Sequence, residues 1–334
     1  MAAPFSFEGL APAEQEREKV DHFFNLLPGT IHRAFEQVGM PLQPTIVFLN
    51  SLENRVVRVQ DLDGDSWVGK FYRPSRWKPE ALLEEHGFLQ ELFEADLPVA
   101  PAIALDDEGS TLDEIEGIAF SISPLRPGRP CDEVNSVQAY QIGQLVGRLH
   151  QVGQQSRFRH RPRLGPAYWG LEALKTLEKE QVVPASLWPR YRDTVSQLVS
   201  RLEKQFQSFP PLRIHGDLHK GNLLRHSQGF TLLDLDDCGT GPAVQDLWLL
   251  VSGRDEEAVE LREWMLEGYQ TIMPFDRRQL ELIEPLRALK FVHYAAWLAR
   301  RRRDPAFMRR FSDVDSYGFW RRELEELEQQ MAWL

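Results

Sequence analysis

Cysteine is scarce in this chain. Only two of the 334 residues, Cys131 and Cys238, are cysteine, and they form no cluster with the spacing of a metal site or a disulfide framework. A disulfide scaffold is therefore not expected, and a reducing, cytoplasmic compartment is the simplest setting. Long apolar runs are missing as well. No stretch approaches the roughly 20 residues of a membrane-spanning helix, so no membrane association is expected. Met1 to Glu14 lacks the basic segment and apolar core of a secretory signal. Positive charge is in deficit: 39 Lys and Arg face 50 Asp and Glu, for a formal net charge of −11. That balance argues against non-specific nucleic-acid binding. Internal repeats and low-complexity tracts are absent.

What is present is globular. Hydrophobic residues make up 42% and aromatics 10%, and the length exceeds what one ordinary core organises, so two lobes are expected. Residues 1–20 read as an irregular polar arm, and Asp21–Val38 as a helix interrupted at Pro28-Gly29. Strands follow at Thr45–Leu49, Val56–Val59 and Trp67–Tyr72, the last two joined through the Asp63-Gly64 turn. Pro79–Ala95 reads as a helix with Leu82, Leu83, Phe88, Leu89, Leu92 and Phe93 on its apolar face. Two more strands, Val99–Leu105 and Gly117–Ser123, flank a turn at 106–109. Pro124 to Gly128 then breaks the pattern, which places the domain boundary there: a small lobe at 1–124 and a large lobe at 125–334. In the large lobe, helices are expected from Ser136 (as cap) to His150, over Ser186–Ser208, Asp255–Ile272 and Gln279–Arg303, and from Phe319 to Leu334. The arginines at 157, 159, 161 and 163 read as a solvated basic loop, and Ser186–Ser208 as support behind the segment described next.

The densest chemistry lies between Leu212 and Asp237. His215-Gly216-Asp217 is followed five residues after the aspartate by Asn222, and two short apolar strands around a His226-Ser227-Gln228-Gly229 turn lead to Asp234-Leu235-Asp236-Asp237. Transfer of a phosphoryl group from ATP needs one carboxylate to receive the proton of the attacking hydroxyl. It also needs an amide oxygen and a second carboxylate to hold Mg2+, which prefers hard oxygen ligands. Asp217, Asn222 and Asp234 supply that set. The Asp-to-Asn spacing equals that of the protein-kinase catalytic loop, and Asp234-Leu235-Asp236 stands where such kinases carry Asp-Phe-Gly. On a continuing strand Asp236 would face the same side as Asp234. Lys70 is the other conspicuous residue. A lysine inside the apolar strand Val68-Gly69-Lys70-Phe71 must find a partner or reach solvent.

These segments resemble the aminoglycoside-phosphotransferase and choline-kinase branch of the kinase superfamily, and within it the bacterial stress response kinase A family. The resemblance covers most of the chain: Asn50 to Arg55, Lys70 to Pro74, Leu83 to His86, the Asp217 loop, Gly241 to Trp248 and Ile283 to Ala288. It implies an α+β, bilobal protein kinase-like fold, with a small lobe of mostly antiparallel sheet and a mainly helical large lobe, ATP and Mg2+ lying between them. It also implies roles. Asp217 and Asp234 are catalytic, and Asn222 and Asp234 are the metal ligands. Lys70 engages the α- and β-phosphates, paired with Glu85 or, as the alternate, Glu84; neighbours on a helix point about 100° apart, so one of them is a surface acid. Ser51, in a loop lacking the glycine-rich pattern of protein kinases, contacts phosphate. Ser123 to Leu125 take the adenine edge, and Asp246 braces the catalytic loop. Gly216 stands where protein kinases have an arginine, so a switch built on an activation-loop phosphate is not expected.

The leading functional expectation is thus an ATP- and Mg2+-dependent Ser/Thr protein kinase of stress physiology, acting as a monomer. The alternative is a small-molecule kinase for an aminoglycoside, choline or homoserine-like acceptor, favoured if the carboxylates of residues 255–284 line an acidic cleft. The third reading is a catalytically silent nucleotide-binding module.

Overall fold

The computed structural model describes residues 19–302, 304–309, 311 and 313–334. Residues 1–18 of the arm expected over 1–20, and Arg303 of the basic run, lie outside them; the last two residues of that arm, Lys19 and Val20, are helical. The chain divides into two compact units: Met1–Arg129 with Thr231–Leu233, and Pro130–Phe230 with Asp234–Leu334.

The first unit is built on a five-stranded antiparallel sheet of β1 (Val47–Phe48), β2 (Arg55–Gln60), β3 (Ser66–Phe71), β4 (Asp113–Ile115) and β5 (Ile118–Pro124), in the order β1-β2-β3-β5-β4. Val57, Val59, Phe71, Phe120 and Ile122 turn to one face. There they form a buried core with Phe23 and with Ile31, Ala34 and Phe35 of helix α1 (Pro28–Gln37). Pro28 opens α1 at its first turn, where a missing N–H costs nothing. Helix α2 (Pro79–Glu94) also begins on a proline and buries Leu82, Glu85, His86, Phe88 and Leu92. Leu83 and Phe93, expected on its apolar face, are exposed. The strand expected over Val99–Leu105 does not form. Isolated backbone bonds hold it in place of a ladder, among them those from Ile103 N–H to Ile122 O and from Leu105 N–H to Ser110 O. The edge partner of β5 is instead β4, reached through Glu116 and Gly117, both at positive φ, the backbone of a tight hairpin turn.

The second unit is mainly helical. Helix α3 (Ser136–Gly153) is capped by Asn135, not Ser136: the Asn135 side chain accepts from Gln138 N–H while the Gln138 side chain reaches back, a reciprocal cap. A wide π-type turn, Ala167–Leu171, leads into α4 (Glu172–Glu180), then α5 (Trp188–Gln207), α6 (Gln245–Trp248), α7 (Glu256–Gln270), α8 (Ile283–Arg301) and the C-terminal helix α9 (Tyr317–Met331). Helices α3 and α7 touch backbone to backbone. A Cβ on Gly143 would lie 1.9 Å from Met265 O, and one on Gly268 2.0 Å from Tyr140 O. Helix α5 packs chiefly on the π-type turn and on α9, with Tyr191 edge-on to Trp320. Direct support of the Asp217 loop therefore comes from other residues. Among the described residues no helix is long and apolar enough to cross a membrane.

Candidate active site

In the first unit, strand alternation decides where Lys70 points. Gly69 and Phe71 serve the α1 face, so Lys70 and Tyr72 turn to the other, and there α2 meets them. Lys70 Nζ lies 3.0 Å from Glu85 Oε1, with Glu85 buried. Glu84 is half-exposed on the neighbouring helix face. The partner sought for the strand lysine is thus Glu85. Beside the pair runs a buried polar chain. Tyr72 Oη is 2.7 Å from His86 Nε2 and 3.1 Å from Ser121 Oγ, and His86 Nδ1 is 2.7 Å from Thr111 Oγ1. This chain fixes the stretch of α2 that carries Glu85.

The Ser51 loop is held from below. Asn54, buried, accepts the Arg73 N–H through Oδ1, and Arg73 donates to the Glu53 carbonyl and pairs with its carboxylate at 3.3 Å. Nothing in that bracing engages Ser51, which sits half-exposed in the loop. Ser123 lies opposite Val68 in the β3–β5 ladder, and the Leu125 N–H donates to Ser66 O. The Leu125 donor is therefore committed within the sheet, which narrows what this stretch has to offer a base edge.

In the second unit Asp246 organises the loop. Fully buried on α6, it accepts the His215 N–H at 2.7 Å through Oδ2 and the Gly216 N–H at 2.8 Å through Oδ1. His150, also fully buried, lies 3.1 Å from Asp246 Oδ2 and 3.0 Å from the Tyr269 hydroxyl. Gln245 adds a bond to the Gly216 carbonyl. Gly216 sits at φ +87, and a Cβ there would lie 2.2 Å from Asp237 O. Only glycine fits, which is why no arginine occupies this position. Asn222 donates from Nδ2 to the Asp217 carbonyl at 2.9 Å, so its amide oxygen is the group left to present to a ligand.

Asp217 itself is met by a residue the sequence reading passed over. Lys290, on α8, places Nζ 2.7 Å from Asp217 Oδ1, while His219 Nε2 lies 3.7 Å from Oδ2. Burial works to raise the Asp217 carboxyl, but the Lys290 charge and hydrogen bond outweigh it and hold the group at about 2. Burial likewise works to lower Lys290, and the Asp217 charge overrides it and raises the ammonium pKa. Burial together with the Lys290 charge pushes His293, one turn on, down to about 4, leaving it neutral at pH 7. Lys290 escaped notice because it lies 73 residues from its partner in a helix legible only as amphipathic.

The strand Gly229–Leu232 ends two residues before Asp234, which is exposed and takes a left-handed backbone, φ 56 and ψ 67, that opens a 3-10 turn over Leu235–Asp237. The expectation that Asp236 continues on Asp234's side fails for that reason: Asp236 is buried inside the turn. Arg161 holds the turn, donating to the Cys238 carbonyl at 2.9 Å and to the Asp236 carbonyl. It is 6% exposed, so this member of the arginine loop is a buried clamp and not a solvated charge. Arg213 is buried in the same way on the carbonyls of Val152 and Gly153 that end α3.

The donor set fits Mg2+. Asn222 through its amide and Asp234 through its carboxylate can offer hard oxygen donors, the kind Mg2+ takes beside phosphate and water.

A sheet unit with an anchored strand lysine and a helical unit with a braced His-Gly-Asp loop define a phosphotransferase with the α+β, two-lobed fold of the kinases. The profile of the phosphotransferase enzyme family (APH) matches residues 45–283, and the chain belongs to that family. It is 38% identical over 302 residues to stress response kinase A of Escherichia coli strain K12, covering 90% of this chain and 91% of that one. It is 37% identical, with the same coverage, to the serine/threonine protein kinase RdoA of Salmonella typhimurium strain LT2. Among solved structures it is similar to amicoumacin kinase hAmiN in complex with AMP-PNP, Ca2+ and Ami, with a TM-score of 0.71 and 22% identity over 89% of this chain and 93% of that one. The choline kinase LicA of Streptococcus pneumoniae gives a TM-score of 0.62 at 14% identity over 90% and 98%.

Proposed function

We propose that this protein is an ATP- and Mg2+-dependent kinase that phosphorylates serine or threonine hydroxyls of a protein in stress physiology, as a cytoplasmic monomer. The observation carrying the reading is the identity across 90% of the chain to relatives named stress response kinase A, at 38%, and serine/threonine protein kinase RdoA, at 37%. In this reading the Lys70–Glu85 pair engages the α- and β-phosphates, the Ser51 loop lies along the phosphates, and the segment around Ser123 and Leu125 faces the base. Asn222 and Asp234 hold Mg2+, which neutralises phosphate charge when bound. Asp217, ionised at neutral pH and fixed through Oδ1, accepts the acceptor hydroxyl through Oδ2 and aims its oxygen at the γ-phosphorus. The new O–P bond forms as the bond to the bridging oxygen breaks; ADP leaves, and the hydroxyl proton passes to Asp217.

The small-molecule alternative draws on the fold neighbours, kinases named for amicoumacin, aminopropanol and choline. Four of the carboxylates expected to attract such cations are already engaged. Glu284 pairs with Arg254 and Arg287, Glu263 with Arg277 and Asp276 with Arg278, while Asp255 caps α7. Labelled ATP with Mg2+ should be offered to casein-like protein and, separately, to a panel of amino alcohols and aminoglycosides. Label on protein serine or threonine is the expected result. Label confined to the metabolites would overturn the protein-kinase reading.

A further inference from the structure

We propose that Lys290 is the positioning cation of the transfer site, pinning the Asp217 carboxylate through Oδ1 so that Oδ2 alone is presented to the acceptor hydroxyl. The inference rests on the kinase reading above and adds a residue to it.

The loop supplies no permanent cation within hydrogen-bonding distance of Asp217, and His219 Nε2 stands 3.7 Å from Oδ2. Gly216 has no room for a side chain, its Cβ position being closed by the Asp237 carbonyl at 2.2 Å. Lys220, between Asp217 and Asn222, makes no ion pair with Asp217 among the described residues, and its charge is felt instead at the Cys131 thiol. The single ammonium in hydrogen-bonding contact with Asp217 among the described residues is that of Lys290, 2.7 Å away.

Its support is rigid. Leu286, Leu289 and Val292 are buried on the inner side of α8, which fixes the helix. Lys290, His293, Tyr294 and Trp297 recur at the spacing of one helix stripe. The stripe is packed ring on ring: Tyr168 lies 5.7 Å from His293, and Tyr294 stacks on Trp297 at 5.5 Å and 15°. A lysine rooted there delivers its charge to one place.

Two physical consequences follow. A carboxylate free to rotate offers either oxygen, whereas one pinned by an ammonium offers a fixed acceptor direction, the kind of orientation that dominates phosphoryl transfer. An unpaired Asp217 would also repel the approaching γ-phosphate. Two unit charges about 5 Å apart at an effective dielectric near 20 repel strongly enough to slow transfer on the order of a hundredfold. Lys290 cancels that repulsion.

The test is a double-mutant cycle on the full chain with Lys290→Met, Lys290→Arg, Asp217→Asn and the double variant Asp217→Asn/Lys290→Met. Mg2+-dependent ATP turnover is measured with casein-like protein and with water as acceptor, beside the affinity for a fluorescent ADP analogue and the melting midpoint. Lys290→Met should lose about a hundredfold in kcat with nucleotide affinity within threefold or so, and Lys290→Arg should recover a substantial part. The double variant should be no slower than Asp217→Asn, because the lysine acts through the aspartate. Because it leaves no uncompensated charge, it also separates misfolding from loss of positioning. Lys290→Met at wild-type turnover, or losses that multiply in the double variant, would overturn the proposal. Absence of any Mg2+-dependent turnover in the wild type is a different outcome: it removes the kinase reading itself, and Lys290 with it.

Discussion

Replacing Asp246 tests how much of the site depends on one buried carboxylate. In Asp246→Ala the N–H groups of His215 and Gly216 lose their acceptor, and His150 loses its carboxylate partner. A buried donor left without a partner costs about 1–3 kcal/mol, and breaking a buried charged network about 3–5 kcal/mol. The same contacts would be counted twice if these were added, so we expect about 3–5 kcal/mol in all. For a unit of this size, each kcal/mol moves the melting midpoint by roughly 2–4 °C, giving a fall of about 6–20 °C. Asp246→Asn should fall between, since a carboxamide has one oxygen for two N–H groups and turns its own N–H toward the second. Turnover, measured well below both midpoints, should drop at least about a hundredfold, because His215 and Gly216 set the position of Asp217. Circular dichroism melts and a coupled ADP assay read both quantities. A midpoint within about 2 °C of wild type, with normal turnover, would refute the brace.

Three further outcomes are expected. Gly216→Ala should fold less stably and lose nearly all turnover, since its Cβ would sit 2.2 Å from Asp237 O at a positive φ; steady-state kinetics and a melt check this. Gly143→Val should lower the midpoint by more than any surface substitution on α3, because the α3–α7 crossing leaves 1.9 Å for a Cβ. Glu284 is depressed from 4.5 to about 2, first by the hydrogen bond from Arg254 and against burial, then by Gln330 and Arg287. Its contribution is complete above the unfolded value of 4.5 and is lost as pH falls from there toward 2. The midpoint gap between wild type and Glu284→Gln should therefore be largest at neutral pH and shrink below pH ~4.5; a gap that grows on acidification would contradict the pairing.

The candidate loop stands out in the sequence because its chemistry is compressed into one stretch: Asp217, Asn222 and Asp234 draw attention by type and spacing. Lys70 was legible because a charge in an apolar strand demands explanation, and sheet alternation placed it toward α2, where Glu85 pairs with it. What stayed hidden depends on contacts distant in sequence. Lys290 is one polar residue among several on an amphipathic helix, and only the packing of α8 brings it to Asp217. Arg161 looked like part of a solvated basic loop, yet it is buried because the turn over Leu235–Asp237 leaves carbonyls needing a donor. The Val99–Leu105 segment has strand composition, but the sheet edge it would occupy is taken by β4 through the Glu116-Gly117 turn. Asp236 misled for a related reason: alternation holds only while the strand continues, and it stops at Leu232, with Asp234's left-handed backbone turning the chain into the 3-10 turn that follows.

The most direct test is γ-phosphoryl transfer by Asp217→Asn, measured beside its affinity for ATP. The account predicts a loss of transfer of about a thousandfold or more with ATP affinity within a few-fold of wild type, because the lysine–glutamate pair and the proposed metal ligands remain. Transfer at the wild-type rate would contradict it.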